Sequence, residues 1–95
     1  MKDSIADGAM RSIIKRERFE QVAAITVETC MGNVFQGDEI SQSRMVRVLV
    51  ARDEDRPDGT VDWILADNTV ANITLAELEE ALRLSVDAQT EIWTQ

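Results

Sequence analysis

The sequence contains no histidine and no tyrosine. Histidine is the side chain most used for general acid–base work and for activating nucleophiles. Without it, only carboxylates, Lys2, Lys15 and the arginines remain for chemistry, and they form no recognisable constellation. The single cysteine, Cys30, excludes an internal disulfide and denies zinc the mixed His and Cys shell it usually takes. The chain is therefore not expected to be an enzyme, and no catalytic, cofactor-binding or metal-ligating residue is assigned. Asp38 and Glu39 are the best paired carboxylates, and they are better explained as charges at a helix N-terminus. No run approaches the ~20 apolar residues of a membrane span. The opening Met-Lys-Asp-Ser-Ile-Ala-Asp-Gly lacks the apolar stretch of a secretion signal, so residence in the cytoplasm where the chain is made is expected. Without a secretory route, the glycosylation-like Asn72-Ile73-Thr74 carries no meaning.

The 95 residues, 44% of them hydrophobic, suffice for one domain with a small core. Such a domain buries only about 60–65% of its unfolded surface, so self-association is an expected source of extra stability. Net charge is −8 and unevenly spread: +1 over residues 1–20, 0 over 21–52 and −9 over 53–95. An acidic C-terminal half repels phosphate backbones, so nucleic acid is not an expected partner. It is compatible with solubility, with a basic protein partner or with imitation of nucleic acid.

Residues 3–20 read as a helix, with Ile5, Ala6, Ala9, Met10, Ile13 and Ile14 on one face. Arg11, Lys15 and Arg18 lie nearly opposite, either as a basic partner patch or as a solvated back face. This N-terminal helix, residues 1–20, is set apart as an oligomerisation or docking element, and 21–95 as the globular domain. In 24–31, Ile25, Val27 and Met31 alternate with Thr26, Glu28 and Cys30, the period of a half-buried strand. Cys30 is then expected to act as a small apolar residue. Gly32-Asn33 suits a two-residue hairpin turn, returning Val34–Gln36 antiparallel, with Gly37-Asp38 ending the strand.

Ser41 is the expected cap of a helix over 42–53. Met45, Val46, Val48, Leu49 and Val50 cover more than half its circumference, which implies contact on two sides. Arg44 and Arg47 take the exposed remainder. The loop 53–59 superficially resembles a calcium site, but Pro57 falls at the fifth position, Gly59 at the seventh and Ile64 at the twelfth. It is read as a charged turn. A strand over 60–66 follows, with Val61, Trp63 and Leu65 on one face. A turn at Asp67-Asn68, with or without Thr69, and a return strand over 70–73 complete the second hairpin. Thr74-Leu-Ala-Glu77 fits a reciprocal capping box. It opens a helix over 75–93 with Leu75, Leu78, Leu82, Val86 and Trp93 on one face. Glu80, Asp87 and Glu91 form an acidic stripe opposite, either a partner surface or solvent-facing charge.

The predicted order is α-ββ-α-ββ-α: an α+β domain with a small antiparallel sheet of two hairpins and helices on one face. The strand–turn–strand–capped-helix unit occurs twice, about 36 residues apart. The two copies scarcely match in sequence, so this is a pseudo-repeat of structure.

Across residues 10–95, an ordered set of features carries a family resemblance. They are Arg16-Glu-Arg18, Val27, Gly32-Asn33, Phe35, Asp38-Glu39, Ser41-Gln-Ser-Arg-Met45, Trp63, Asp67-Asn68, Thr74, Glu77-Leu78 and Trp93. In that order and spacing the chain resembles a domain of unknown function found in bacteriophage tail-fibre and tail-associated proteins. The resemblance brings no catalytic residues. Such domains end longer chains, behind repeats that form a fibre shaft. Here only the N-terminal helix precedes the domain, which argues against a fibre tip and leaves a small free-standing tail component, an assembly accessory or another early phage or prophage product as the expectation. The implied role is a non-catalytic phage or prophage structural or assembly module, in the host cytoplasm or built into the virion tail. It would act through protein–protein contacts and form a homo-oligomer, without cofactor, nucleic acid or membrane. The alternative is a small acidic inhibitor that binds a host protein. Arg11, Lys15, Arg18, Arg44, Arg47, Glu80, Asp87 and Glu91 are the candidate partner surface.

Overall fold

Two hairpins, each followed by a helix, build the core of the molecule in a computed structural model that describes residues 17–53 and 59–94. The first described element, α1, is helical over 17–23. It is followed by β1 (Thr26–Glu28), β2 (Val34–Gln36), α2 (Glu39–Asp53), β3 (Thr60–Ile64), β4 (Val70–Thr74) and α3 (Leu75–Trp93). The predicted α+β class and the order α-ββ-α-ββ-α are what is observed. The predicted helix over 3–16 and the turn over 54–58 lie outside the described residues.

Each hairpin forms its own two-stranded antiparallel sheet. In the first, Val27 pairs with Phe35; in the second, Val61 pairs with Ile73 and Trp63 with Ala71. Alternation of side chains along a strand sends these residues to one face, where they meet the helices. The backbone N–H of Ala66, in the second hairpin's loop, donates to the Val34 carbonyl at 2.9 Å and joins the two sheets. Val22, Ile25, Val27, Phe35, Met45, Leu65, Ile73, Leu78 and Ala81 form the common core, with Trp63, Leu49 and Ala88 among the partly buried side chains packed on it. Full burial of a large apolar side chain contributes about 1.5–3 kcal/mol.

Both hairpins close with the same three-residue loop. The Thr29 carbonyl accepts from Gly32 N–H at 2.9 Å, and Thr29 N–H donates to the Asn33 carbonyl at 3.0 Å. In the second loop the Leu65 carbonyl accepts from Asn68 N–H at 2.9 Å, and Leu65 N–H donates to the Thr69 carbonyl at 2.8 Å. Gly32 (φ 87°) and Asn68 (φ 67°) hold the left-handed third position, which this loop type demands and which glycine and asparagine tolerate. The predicted two-residue turn at Gly32-Asn33 is therefore corrected to Cys30-Met31-Gly32. The correction moves Cys30 and Met31 out of the strand. Cys30 is exposed rather than a small core residue, and Met31 is 72% exposed rather than inward-facing.

The offset between the two units is constant. Thr29 and Leu65, Gly32 and Asn68, and the first helical residues Glu39 and Leu75 are each separated by 36 positions. The pseudo-repeat read from element order is thus present in the backbone at a single register.

The helix starts show a second correction. α2 begins at Glu39, and the Asp38 carbonyl accepts from Gln42 N–H at 2.9 Å. Asp38 is therefore the capping position, and Ser41 lies one turn inside, buried, with its hydroxyl donating to the Asp38 carboxylate. At the other start, Thr74 caps as expected, its hydroxyl accepting from Glu77 N–H at 3.1 Å.

Candidate functional site

Glu77 does not complete the capping box by reaching back to Thr74. Its carboxylate turns across to the first hairpin, where Oε2 accepts from the Thr29 hydroxyl at 2.7 Å and from the Asn33 side-chain amide at 2.8 Å. The residue is only 7% exposed, and a carboxylate at that depth is retained only when hydrogen-bonded. Three residues on, and so on the same side of α3, Glu80 reaches the same loop. Its Oε2 accepts from Cys30 N–H at 2.9 Å and its Oε1 from the Cys30 thiol at 3.2 Å. The hydrogen bond to Glu80 and the charge behind it raise the Cys30 thiol above its usual pKa. The two carboxylates thus grip both ends of the 29–33 loop and fasten the first hairpin to the start of the last helix.

A second polar network joins the helices. Gln89 donates to Glu39 Oε1 at 2.8 Å, while Gln42 donates to Gln89 Oε1 and to the Gly37 carbonyl, both at 2.8 Å. The start of α2 therefore lies beside the C-terminal half of α3. Gly37 enters this junction because nothing larger fits: a Cβ there would sit 2.6 Å from both Ile25 Cγ2 and Ser85 Oγ. Ser85 is fully buried, and its hydroxyl donates to the Ala81 carbonyl at 2.7 Å.

The structure disperses the candidate partner residues. Arg11 and Lys15 lie outside the described residues. Arg18 is half-buried and engaged. Arg44 and Arg47 are both exposed, three residues apart on α2. Arg44 lines a concavity with Gln36, Asp62 and Trp63, whereas Arg47 lines the groove between α2 and α3. The acidic stripe loses Glu80 to Cys30, and Asp87 and Glu91 remain exposed. Among the described residues, no group of Cys, Asp and Glu has an arrangement that could hold a metal ion. No described helix is long and apolar enough to cross a membrane.

Sequence reasoning missed the apolar surface of the hairpins and anticipated only part of that of the helices. On the outer side of the hairpins, Val34, Ile64 and Val70 are exposed, the last two as a cross-strand pair. On the helices, Val46, Val50 and Val86 are exposed, and Val46 and Val86 share the α2–α3 groove with Leu82. The wide apolar arc of α2 predicted contact on two sides. Met45 is fully buried, Val48 and Leu49 pack against the core, and Val46 and Val50 face outward. On α3 the buried line is Leu75, Leu78, Ala81 and Ser85, while Val86 and Trp93, predicted for the inner face, are about half exposed.

No curated protein and no solved structure matches the chain. A family model does, over residues 6–92, which is nearly the whole sequence. The chain therefore belongs to the family described as a domain of unknown function, DUF4376.

Proposed function

We propose that this protein is a non-catalytic, tail-associated structural or assembly module of a phage or prophage, acting through protein–protein contacts. One observation carries the reading: the polar side chains with defined partners are spent on the fold, while large apolar side chains stand outside. Glu77, Glu80, Gln42 and Gln89 tie hairpin to helix and helix to helix. Val46, Val50, Ile64, Val70 and Val86 are exposed. Exposed apolar side chains grouped on both layers are a feature of interaction surfaces. The phage setting rests on the ordered motifs from Arg16 to Trp93. The inhibitor reading draws on the chain's eighteen carboxylates and on the acidic stripe; Glu80 of that stripe is held by the fold, so the assembly reading is preferred.

The test is mass spectrometry of purified virions from the encoding phage or induced prophage, with electron microscopy of particles made without the gene. The protein is expected in the virion, or tails are expected to be defective in its absence. Particles that lack the protein and build normal, infectious tails without it would end this reading.

A further inference from the structure

The register of 36 that relates the two units also relates their helix-to-hairpin contacts. On α3, Glu77 and Glu80 reach the first hairpin and fasten it. Their counterparts on α2 are Ser41 and Arg44, and these fasten nothing across to the second hairpin. The Ser41 hydroxyl turns back to Asp38, and Arg44 has no hydrogen-bond or ion-pair partner among the described residues. Where the first unit has a carboxylate latch, the second has a concavity of about 390 Å3 between α2 and β3. Ser41 and Arg44 line it with Gln36, Trp63, Ile64 and Asn68.

The concavity borders an unused strand edge. Main-chain bonds across an antiparallel pair fall at every second residue. Leu65 N–H donates to the Thr69 carbonyl, so Trp63 and Val61 are the next to bond across to β4, and the main-chain groups of Asp62 and Ile64 point to the other side. Ala66, next in that series, donates to the Val34 carbonyl, which places β2 on that side at the loop end. Beyond that one bond, no described strand pairs with β3 there, since the two hairpins form separate sheets. An open edge of this kind is where an extended peptide adds as a further strand.

The side chains around the edge select the charge. Arg44 and the Trp63 indole can only donate, and the Gln36 and Asn68 amides can donate as well. None of these four side chains has a hydrogen bond within the described residues. Asp62, the one acidic residue of the lining, accepts from the Asn72 amide at 3.0 Å. An acceptor-only group completes such a set, and the guanidinium fork matches a carboxylate with two parallel hydrogen bonds. In the first unit's contact the helix brings the carboxylates to the hairpin. Here the helix brings the cation, and the carboxylate comes from outside.

We infer that the β3 edge beside Arg44 binds an extended acidic segment of a partner protein, which pairs with the main chain of Asp62 and Ile64 and sets a carboxylate on Arg44. This deepens the assembly reading, on which it rests, by giving the surface and the chemistry of the partner. A phosphate is a poorer match, since one guanidinium flanked by Asp62 suits a single negative charge.

The test uses the full chain, labelled for NMR, and two blocked peptides: acetyl-Val-Thr-Glu-Val-Thr-amide and the same peptide with Gln for Glu. The Glu peptide is expected to shift the amides of Asp62 and Ile64 and the Trp63 indole N–H. It should bind about threefold or more tighter than the Gln peptide, the scale of a partly exposed ion pair. Arg44→Gln should abolish that preference, while Arg47→Gln should keep it. Ile64→Pro removes an edge N–H that makes no bond to β4, and it should abolish binding of both peptides while the rest of the amide spectrum is retained. No binding at millimolar peptide overturns the inference, as does binding that leaves Asp62 and Ile64 unmoved. Equal affinity for the two peptides, or a preference that survives Arg44→Gln, overturns it as well. Sodium acetate alone reproducing every shift would mean a free carboxylate ligand, and the same shifts on concentrating the protein alone would mean a second copy; either result overturns it. None of these outcomes touches the virion experiment, so the inference and the assembly reading fail separately.

Discussion

Positions 36 apart perform the same backbone work in the two hairpin–helix units but carry different side chains. The third loop residue is Gly32 in one and Asn68 in the other, and the helix caps are Asp38 and Thr74. Inside, the sizes alternate. Phe35 and Met45 of the first unit correspond to Ala71 and Ala81 of the second, while Val27 and Gly37 correspond to Trp63 and Ile73. All but Gly37 line one core, and an interior packed to crystal-like density has a fixed volume to fill. Where one unit supplies bulk, the other withdraws it. This is why a repeat so regular in the backbone leaves so little identity in the sequence.

The largest effects should come from disturbing that alternation. Phe35 is fully buried, and Phe35→Ala is expected to cost about 3–5 kcal/mol. Ala71→Phe alone should overpack the inner face and cost about 1–3 kcal/mol. If the two positions share one volume, the double variant should be more stable than the sum of the single losses by at least about 1 kcal/mol, measured by urea unfolding. Simple additivity would mean that the alternation is coincidental. Gly37→Ala should cost about 1–3 kcal/mol through its clashes with Ile25 and Ser85. Combining it with Ser85→Ala should recover part of that loss, because the nearest oxygen is gone.

The third residue of each helix sharpens the comparison at smaller scale. Ser41 donates locally to Asp38, whereas Glu77 spans 48 residues to Thr29 and 44 to Asn33. Ser41→Ala should cost no more than about 1 kcal/mol, a local loss at a helix start. Glu77→Ala leaves the Thr29 hydroxyl and the Asn33 amide without their acceptor and should cost about 1–3 kcal/mol. Amide exchange locates the difference: Glu77→Ala should speed exchange at Thr29 N–H, which closes the first loop, and Ser41→Ala should not. Equal exchange in both variants would mean that Glu77 does not hold the hairpin.

The element order was legible because its signals are local. Val34–Gln36 returns where Gly37 stops it, and the Thr74 hydroxyl caps α3 as its sequence context demands. What escaped was set by one backbone conformation and by contacts distant in sequence. Met31 continues the strand alternation, but the left-handed Gly32 places it in a loop. Glu77 fits a capping box, yet two donors from the first hairpin outcompete its own backbone. Glu80 has the spacing of a surface stripe, and only the fold shows Cys30 above it. Ser85 carries no local sign of burial, and only the fold sets it, fully buried, against Gly37. The exposed Val46 and Val50 were visible as an over-wide apolar arc, though not which part of that arc the core would take.

The finest difference between the units lies at the first loop residue. Ala66 N–H donates to the Val34 carbonyl of the first hairpin, while its counterpart Cys30 N–H donates to the Glu80 carboxylate. Only in the first loop does a helix charge stand behind the turn. Cys30 is the sole thiol and is exposed, so it reports that charge directly. The thiolate is the reactive form, and Glu80 keeps the thiol protonated to higher pH than usual. In wild type, alkylation by iodoacetamide near pH 8 should therefore be slow, and Glu80→Gln should accelerate it severalfold. At a pH well above both thiol pKa values the two rates should converge, because both thiols are then ionised. The sign for stability follows from the same shift. The folded thiol holds its proton more tightly than the unfolded one, so this contribution is complete below the unfolded thiol pKa. It is lost as pH rises through the folded value, and Glu80→Gln should flatten that alkaline decline. Indistinguishable alkylation profiles for the two proteins would show that Glu80 does not face the thiol in solution, and the first hairpin would then be fastened by Glu77 alone.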